Sequence, residues 1–312
     1  MDFAPVPSAV FPVFGLVACG WLAGRFNLVS QASSEALNQF VYAFALPAML
    51  FVAVYRGSFE EITGSGGFLA AVVGATLLTA AAGFGLSRVA LGAGAAESTL
   101  RGLNASFANT GYLGIPLVTV AYGEHAALPA ALATVATNVV SFALAIALLE
   151  MTVHPAGGGL RRALVGVVRS PLIWPIAAAI ALVAGGIRVP LPFERFAGLL
   201  ATAAGPCALF AIGLFVSRQS IRTGLASTWP STALKLVLHP LLMGIFAYGV
   251  LRLDPLWAKT AVVCASLPLG ATAFVLAQRY GLLEEETSTG AVVSTAASLV
   301  TVSLVMAGLS GR

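Results

Sequence analysis

Apolar segments of about 20 residues, the length a helix needs to cross a bilayer, recur along the whole chain. Charges and turn residues bound ten of them, here called spans 1 to 10, at 5–24, 36–55, 67–87, 102–122, 127–149, 171–187, 196–217, 230–250, 258–278 and 288–309. Only 9% of the 312 residues are charged, against about 25% in soluble domains. The pattern predicts an all-α integral membrane protein with ten transmembrane helices. It excludes soluble enzymes, nucleic-acid-binding proteins and disordered proteins.

The longest polar stretch, residues 151–170, lies at the middle of the chain and carries Arg161, Arg162 and Arg169. It separates a first half, residues 1–150, from a second half, residues 171–312, with five spans in each. Loops rich in Arg and Lys stay in the cytoplasm. We therefore predict a cytoplasmic linker, both termini outside, and location in a bacterial-type inner membrane.

Helix-breaking residues recur at matching places in the two halves. Pro47 in span 2 corresponds to Pro206 in span 7, and Pro116 in span 4 corresponds to Pro268 in span 9. Because five is an odd number of crossings, related halves would enter the membrane in opposite directions. The sequence thus predicts two inverted five-helix repeats, an arrangement common among secondary transporters.

The breaks in spans 4 and 9 lie near the middle of each span. Unwound backbone in lipid is tolerated only against protein or a water-filled cavity, and matched breaks in both halves indicate a binding site near the midplane. Residues predicted to form the break and the crossing are Gly111, Gly114, Pro116 and Pro268. Residues predicted to contact substrate there are Asn109, Thr110, Gly270 and Thr272.

The breaks also predict the charge of the substrate. Each second half-helix would begin with free N–H groups and a positive dipole end, expected near 114–117 in span 4 and 270–273 in span 9. Two such ends at one crossing suit an anion such as a carboxylate. No Asp or Glu lies inside any span, whereas a cation carrier normally uses an intramembrane carboxylate. An anionic or neutral substrate is therefore favoured.

Other polar residues in the spans leave alternatives open. Asn104 either contacts substrate or hydrogen-bonds between helices, and the same two roles are open for Thr137 and Asn138 in span 5. Lys235 and His239 share a face of span 8. Lys235 is predicted to extend to the cytoplasmic interface, and a structural role is favoured for His239 over proton coupling by this pair.

No binding or metal site is predicted from the remaining ionisable residues. The triplet Glu284, Glu285 and Glu286 is predicted to be a solvated turn between spans 9 and 10. The three histidines are too widely spaced for a zinc-ligand pattern. No metal and no cofactor are expected.

Two motifs resemble those of the auxin efflux carrier family, which includes plant PIN proteins and bacterial malonate and malate carriers. They are NTGYLGIPLVTVAYG at 109–123 and LPLGATAFVLAQRYG at 267–281, and RSPLIW at 169–174 is also similar. The resemblance covers nearly the whole chain. It implies a fold similar to that of sodium/proton antiporters, with spans 4 and 9 crossing.

The resemblance further implies that the spans form two domains with different roles. Spans 1, 2, 6 and 7 would form a scaffold, with a homodimer contact through spans 2 and 7. Spans 3–5 and 8–10 would form a transport domain that moves as an elevator. Asn109 would contact the substrate carboxylate, Thr137 or Asn138 would line the site, and Phe51 and Leu172 would face it from the scaffold.

We therefore expect a secondary active or potential-driven transporter of small organic anions that works by alternating access. Its cargo would be mono- or dicarboxylates, with auxin-like acids among the candidates, and its other partner would be membrane lipid. The alternative is a sodium-coupled organic anion symporter of the bile-acid type. A channel or an intramembrane enzyme is more remote, since catalysis would need a nucleophile–base or metal constellation at depth. The chain is expected not to be an enzyme.

Overall fold

Helices form nearly all of the part of the chain that the computed structural model describes, namely residues 5–153, 161, 164–165, 168–219 and 225–309. Much of the predicted linker, including Arg162, lies outside these residues. The helices are α1 (Pro5–Arg25), α2 (Gln31–Tyr55), α3 (Phe59–Gly64), α4 (Gly66–Ala90), α5 (Ala95–Ser106), α6 (Thr110–Tyr122), α7 (Ala127–Val153), α8 (Ile173–Ala184), α9 (Leu191–Arg218), α10 (Leu225–Val250), α11 (Pro255–Ser266), α12 (Thr272–Tyr280) and α13 (Glu284–Leu309).

The helix lengths are those expected of an integral membrane protein. Among the described residues, seven helices are long and apolar enough to span it, namely α1, α2, α4, α7, α9, α10 and α13. Two shorter apolar helices are α6 and α8. Predicted spans 4 and 9 are each divided into two helices, α5 with α6 and α11 with α12.

Three of the prolines that lie inside unbroken helices share one local structure. Pro47, Pro116 and Pro240 each follow a π-helical stretch by two residues, the stretches being Val41–Ala45, Thr110–Gly114 and Leu234–Leu238. The residue before each proline donates its N–H to the carbonyl five residues earlier. A proline ring normally clashes with the carbonyl four residues back. The wider π turn gives that carbonyl room, so the helix continues past the proline.

Glycines allow two helix pairs to approach closely. A Cβ atom on Gly20 of α1 would overlap the carbonyl of Phe210 in α9, and one on Gly213 would overlap that of Val17. A Cβ atom on Gly102 of α5 would lie 2.7 Å from the carbonyl of Ala80 in α4. Small residues permit such backbone contact between membrane helices. These contacts hold α1 against α9 and α4 against α5.

The helices pack in two sets, and the divided helices α5 and α11 belong to the second. One set joins α1 with α9 and places α2 against both α8 and α9. In the other set α4, α5 and α7 pack together, and α10 packs on α11 and α13. The main hydrophobic core runs between the sets and includes Leu50, Leu117 and Leu267.

Candidate functional site

The two divided helices lose their helical backbone at matching places. After α5 ends at Ser106, Phe107 is extended (φ −78°, ψ 106°), and Asn109 (φ −78°, ψ 57°) precedes the first residue of α6. After α11 ends at Ser266, Leu267 is extended (φ −67°, ψ 156°), and α12 begins at Thr272. Each break is therefore only a few residues long.

The two breaks pair with each other through their backbones. The N–H of Asn109 donates to the carbonyl of Pro268 at 2.9 Å, and the N–H of Gly270 donates to the carbonyl of Phe107 at 3.2 Å. These bonds form an antiparallel bridge between Ala108 and Leu269. The pairing satisfies backbone groups that would cost several kcal/mol each if left unpaired in lipid. The crossing of the divided helices is thus held by main-chain hydrogen bonds.

The second half of span 4 begins earlier than the sequence predicted. α6 starts at Thr110, four residues before Gly114, so Gly111, Gly114 and Pro116 lie inside the helix. The π turn described above makes room for the ring of Pro116, so this proline does not break the helix. The glycines serve packing, since a Cβ on Gly114 would lie 2.8 Å from Cδ1 of Leu267. Pro268 and Gly270 lie within the other break.

A cavity of about 240 Å³, here called the site cavity, lies beside the crossing. α7 and α12 form one wall, and α2 with the start of α8 forms the other. Its lining residues include Tyr42, Asn138, Phe142, Ser170, Leu172, Thr272 and Arg279. The structure thus brings together three of the residues named from the sequence, Asn138, Leu172 and Thr272.

Arg279 is a lining residue that the sequence analysis missed. It follows Thr272 by seven residues, two helical turns, so both lie on one face of α12. That spacing was available from the sequence once the start of α12 was known. Arg279 also lies 5.8 Å from the ring centre of Tyr280. Among the described residues that line the site cavity, Arg279 is the only charged one.

The polar groups of the site cavity can bind a carboxylate. The side-chain amide of Asn138 donates one hydrogen bond to the carbonyl of Thr134 at 2.8 Å, which leaves its oxygen and second N–H for a ligand. Thr272 opens α12, whose positive dipole end favours an anion. The N–H groups of Ala273 and Phe274 already donate to the carbonyls of Gly270 and Ala271. A guanidinium such as that of Arg279 binds carboxylates with two parallel hydrogen bonds.

The other residues named from the sequence lie outside the site cavity. Asn109 is buried at the crossing, and its side chain does not cap α6. Thr110 and Thr137 line a small cavity of about 10 Å³ with His239, here called the histidine cavity. Phe51 stacks on Tyr55 at 5.6 Å.

Asn104 connects two helices. Its amide nitrogen donates to Oγ1 of Thr287 in α13 at 2.9 Å, and the residue is 4% exposed. Of its two predicted alternatives, this contact supplies the hydrogen bond between helices.

Lys235 does not extend to the interface, and that prediction was wrong. Its side chain is fully buried (0% exposed), and Nζ donates to the carbonyl of Ala265 at 2.7 Å. Nζ also lies 3.0 Å from Nδ1 of His239. The carbonyls at the end of α11 offer the ammonium acceptors at membrane depth, so it need not reach water.

The glutamate triplet is likewise not a solvated turn. It forms the first turn of α13, in which Glu284 and Glu285 are exposed and Glu286 is 5% exposed. Both oxygens of Glu286 accept hydrogen bonds from Arg101 at 2.8 Å. The helical turn directs this carboxylate towards α5, where an arginine compensates its charge.

A second, larger cavity of about 820 Å³, here called the opposite cavity, lies between α2, α6, α7 and α9. It is lined by the end of α2 and the start of α7, whereas the site cavity is lined by an earlier residue of α2 and by the middle of α7. The two cavities therefore lie at different levels along these helices. Arg56 and Arg195 line the opposite cavity together with Glu61 and Glu124.

Comparisons with known proteins agree with the helical architecture. A family model described as "Membrane transport protein" matches residues 5–160 and 159–306. A Rhizobium meliloti (strain 1021) protein named "Putative malonate transporter" is 34% identical over 96% of this chain and 94% of its own length. "Uncharacterized transporter YfdV" of Escherichia coli (strain K12) is 24% identical over 95% of each chain. "Auxin efflux carrier component 8" of Arabidopsis thaliana is 25% identical over 94% of each chain.

These relatives are named as transporters, which confirms the expectation that the chain is not an enzyme. The match covers both halves of the sequence, and the family is the one that the motifs at 109–123 and 267–281 resemble. The chain is an integral membrane protein that belongs to the membrane transport protein family, the family of the auxin efflux carriers.

Proposed function

We propose that this protein is a secondary transporter of small organic anions, with short dicarboxylates as its preferred cargo. The observation that carries the proposal is the site cavity, which Arg279, Asn138 and Thr272 line together and which has no carboxylate among its described lining residues. The name of the Rhizobium meliloti relative, which specifies malonate, favours a dicarboxylate.

The geometry of α12 suits two carboxylates of one ligand. Thr272 and Arg279 are separated by roughly 10 Å along the helix axis, at 1.5 Å per residue. Side chains on a helix lean towards its N-terminus, so Arg279 extends back towards Thr272 and shortens that gap. In our proposal one carboxylate binds the guanidinium, and the other binds the side-chain amide of Asn138 near the positive dipole end of α12.

Two cavities at different levels along α2 and α7 support alternating access. The site cavity includes Ser170, at the end of the predicted cytoplasmic linker, and we assign it to the cytoplasmic side. The opposite cavity then faces outside. We propose that α4–α7 and α10–α13 move as an elevator against α1, α2, α8 and α9, with a homodimer contact through α2 and α9. The halves would be inverted repeats that meet at the crossing.

The membrane potential sets a direction for uncoupled transport. Moving one net charge through about 100 mV is worth roughly 2.3 kcal/mol. With the inside negative, an uncoupled carrier of anions would export them, and accumulation inside would require a coupled cation. Counterflow of labelled malonate across liposomes clamped at different potentials separates these modes.

The binding experiment compares Arg279→Gln with Arg188→Gln. Arg188 is exposed between α8 and α9 and lines neither cavity, so it is a matched control. A hydrogen bond to a charged group contributes about 1.5–3 kcal/mol, so Arg279→Gln should weaken malonate binding by roughly 10- to 100-fold. Equal malonate affinity for Arg279→Gln and wild type in a purified, folded state would reject the site.

A further inference from the structure

Lys235 is a fully buried lysine whose hydrogen bonds end at main-chain and imidazole atoms. Nζ donates to the carbonyl of Ala265, which is one residue from the end of α11. The last carbonyls of a helix carry its negative dipole end and attract cations. The ammonium therefore compensates the negative end that the break after Ser266 creates.

The surroundings of Lys235 are rich in oxygen. It lines a cavity of about 10 Å³, here called the lysine cavity, together with Asn104, Thr228, Ser231, Thr232, Glu286 and Ser294. Oδ1 of Asn104 is buried and has no hydrogen-bond partner among the described residues. Hydroxyl, amide and carbonyl oxygens are the groups that bind hard cations. The lysine cavity thus has the chemistry of a cation site, and a side-chain ammonium lines it.

His239 contacts Lys235 and also lines the histidine cavity, as does Thr110 of the other divided helix. When Lys235 is an ammonium, Nδ1 of His239 must accept its hydrogen bond, so the imidazole proton is on Nε2. Nε2 of His239 and Oγ1 of Thr110 are both buried without a partner among the described residues, and both residues line the histidine cavity. Thr110 is the first residue of α6. His239 and Thr110 thus share the histidine cavity but are not hydrogen-bonded to each other.

Other ionisable groups face this pair. Cys264 of α11 lines the histidine cavity, and Glu286 of α13 lines the lysine cavity. The carboxylate of Glu286 is held by Arg101 of α5 on both oxygens. Its charge is therefore already compensated by that arginine.

We propose that Lys235 is a tethered cation that positions the crossing by holding the end of α11, with its ammonium in the place of a bound metal cation. This proposal rests on the proposed function only because malonate transport is one of the two measurements that test it. It makes Lys235 a positioning residue, because it contacts the end of α11 and does not line the site cavity.

The test is rescue of Lys235→Ala by methylammonium, which supplies the missing ammonium. Malonate transport and thermal unfolding are measured in methylammonium chloride, sodium chloride and choline chloride at equal ionic strength. We expect about 10-fold slower transport in choline chloride, within the usual range for coupling between sites, and recovery of both rate and melting temperature in methylammonium chloride. The control is Lys259→Ala, since Lys259 lies on α11 away from both small cavities and its variant should respond to neither salt.

Two results overturn the proposal. One is a folded Lys235→Ala that transports like wild type, or that is slow and unaffected by methylammonium. The other comes from wild type alone and needs no folded variant: a melting temperature that rises with sodium chloride over choline chloride means that a free cation binds. If wild type does not carry malonate, the melting temperature of Lys235→Ala in methylammonium still tests the tethered cation, so the two proposals fail separately.

Discussion

The backbone N–H of Asn109 lies 2.9 Å from the carbonyl of Pro268 and donates to it, so two divided helices are joined by main-chain atoms at their breaks. Asn109 therefore acts in the fold through its backbone, independently of its side chain. The side chain makes no capping bond to α6. This separation of roles makes the residue suitable for paired substitutions.

Asn109→Ala and Asn109→Pro should behave differently. Ala keeps the N–H, and because no side-chain cap is lost, the cost should stay below the ~1 kcal/mol of a typical cap. Pro fits the φ of −78° but removes the donor, which leaves the Pro268 carbonyl unpaired at a cost of about 1–3 kcal/mol. Thermal unfolding in detergent measures both. Equal melting temperatures for the two variants would contradict the backbone bridge.

Gly270→Ala should destabilise the crossing by steric overlap with the Phe107 ring. Overpacking of this kind costs about 1–3 kcal/mol. Phe107→Leu should restore part of that loss in the double variant, because the overlapping ring is gone. Gly15→Ala is the control, since a Cβ there meets nothing within 4 Å. A double variant no more stable than the sum of its single losses would argue against the contact.

Glu286→Gln should cost far more stability than Glu284→Gln. The side chains of Arg101 and Glu286 are 13% and 5% exposed and form a bidentate pair. Breaking a buried pair on one side costs about 3–5 kcal/mol, whereas an exposed glutamate contributes within about 0.5 kcal/mol. Melting temperatures of the two variants and of Arg101→Met/Glu286→Gln provide the comparison. Similar small losses at both glutamates would restore the solvated-turn interpretation.

Malonate should change the labelling of engineered cysteines in opposite senses if access alternates. Thr272→Cys reports on the site cavity and Thr202→Cys on the opposite cavity, in a background without Cys19 and Cys207. Conditions that slow modification of one position by a membrane-impermeant thiol reagent should speed modification of the other. Parallel changes at both positions would indicate a channel or plain occlusion.

Seven of the predicted spans coincide with helices that are long and apolar enough to cross a membrane, because the signal for such a helix is local. A run of apolar residues, a turn and a proline–glycine cluster are all properties of neighbouring residues. The boundary error at α6 has the same origin. Pro116 signals a break, but the π turn before it lies within the helix and depends on packing.

The sequence alone determined the membrane location, the places of the two breaks and the family, since apolar length and short motifs carry these. Only the tertiary structure decided which residues meet across the chain. Arg101 and Glu286 are 185 residues apart, and Lys235 is 30 residues from the carbonyl of Ala265. The site cavity combines α2, α7, α8 and α12. Periodicity within a helix indicates a buried face but not the helix that covers it. The partners of Lys235, Glu286 and Arg279 therefore follow only from the packing.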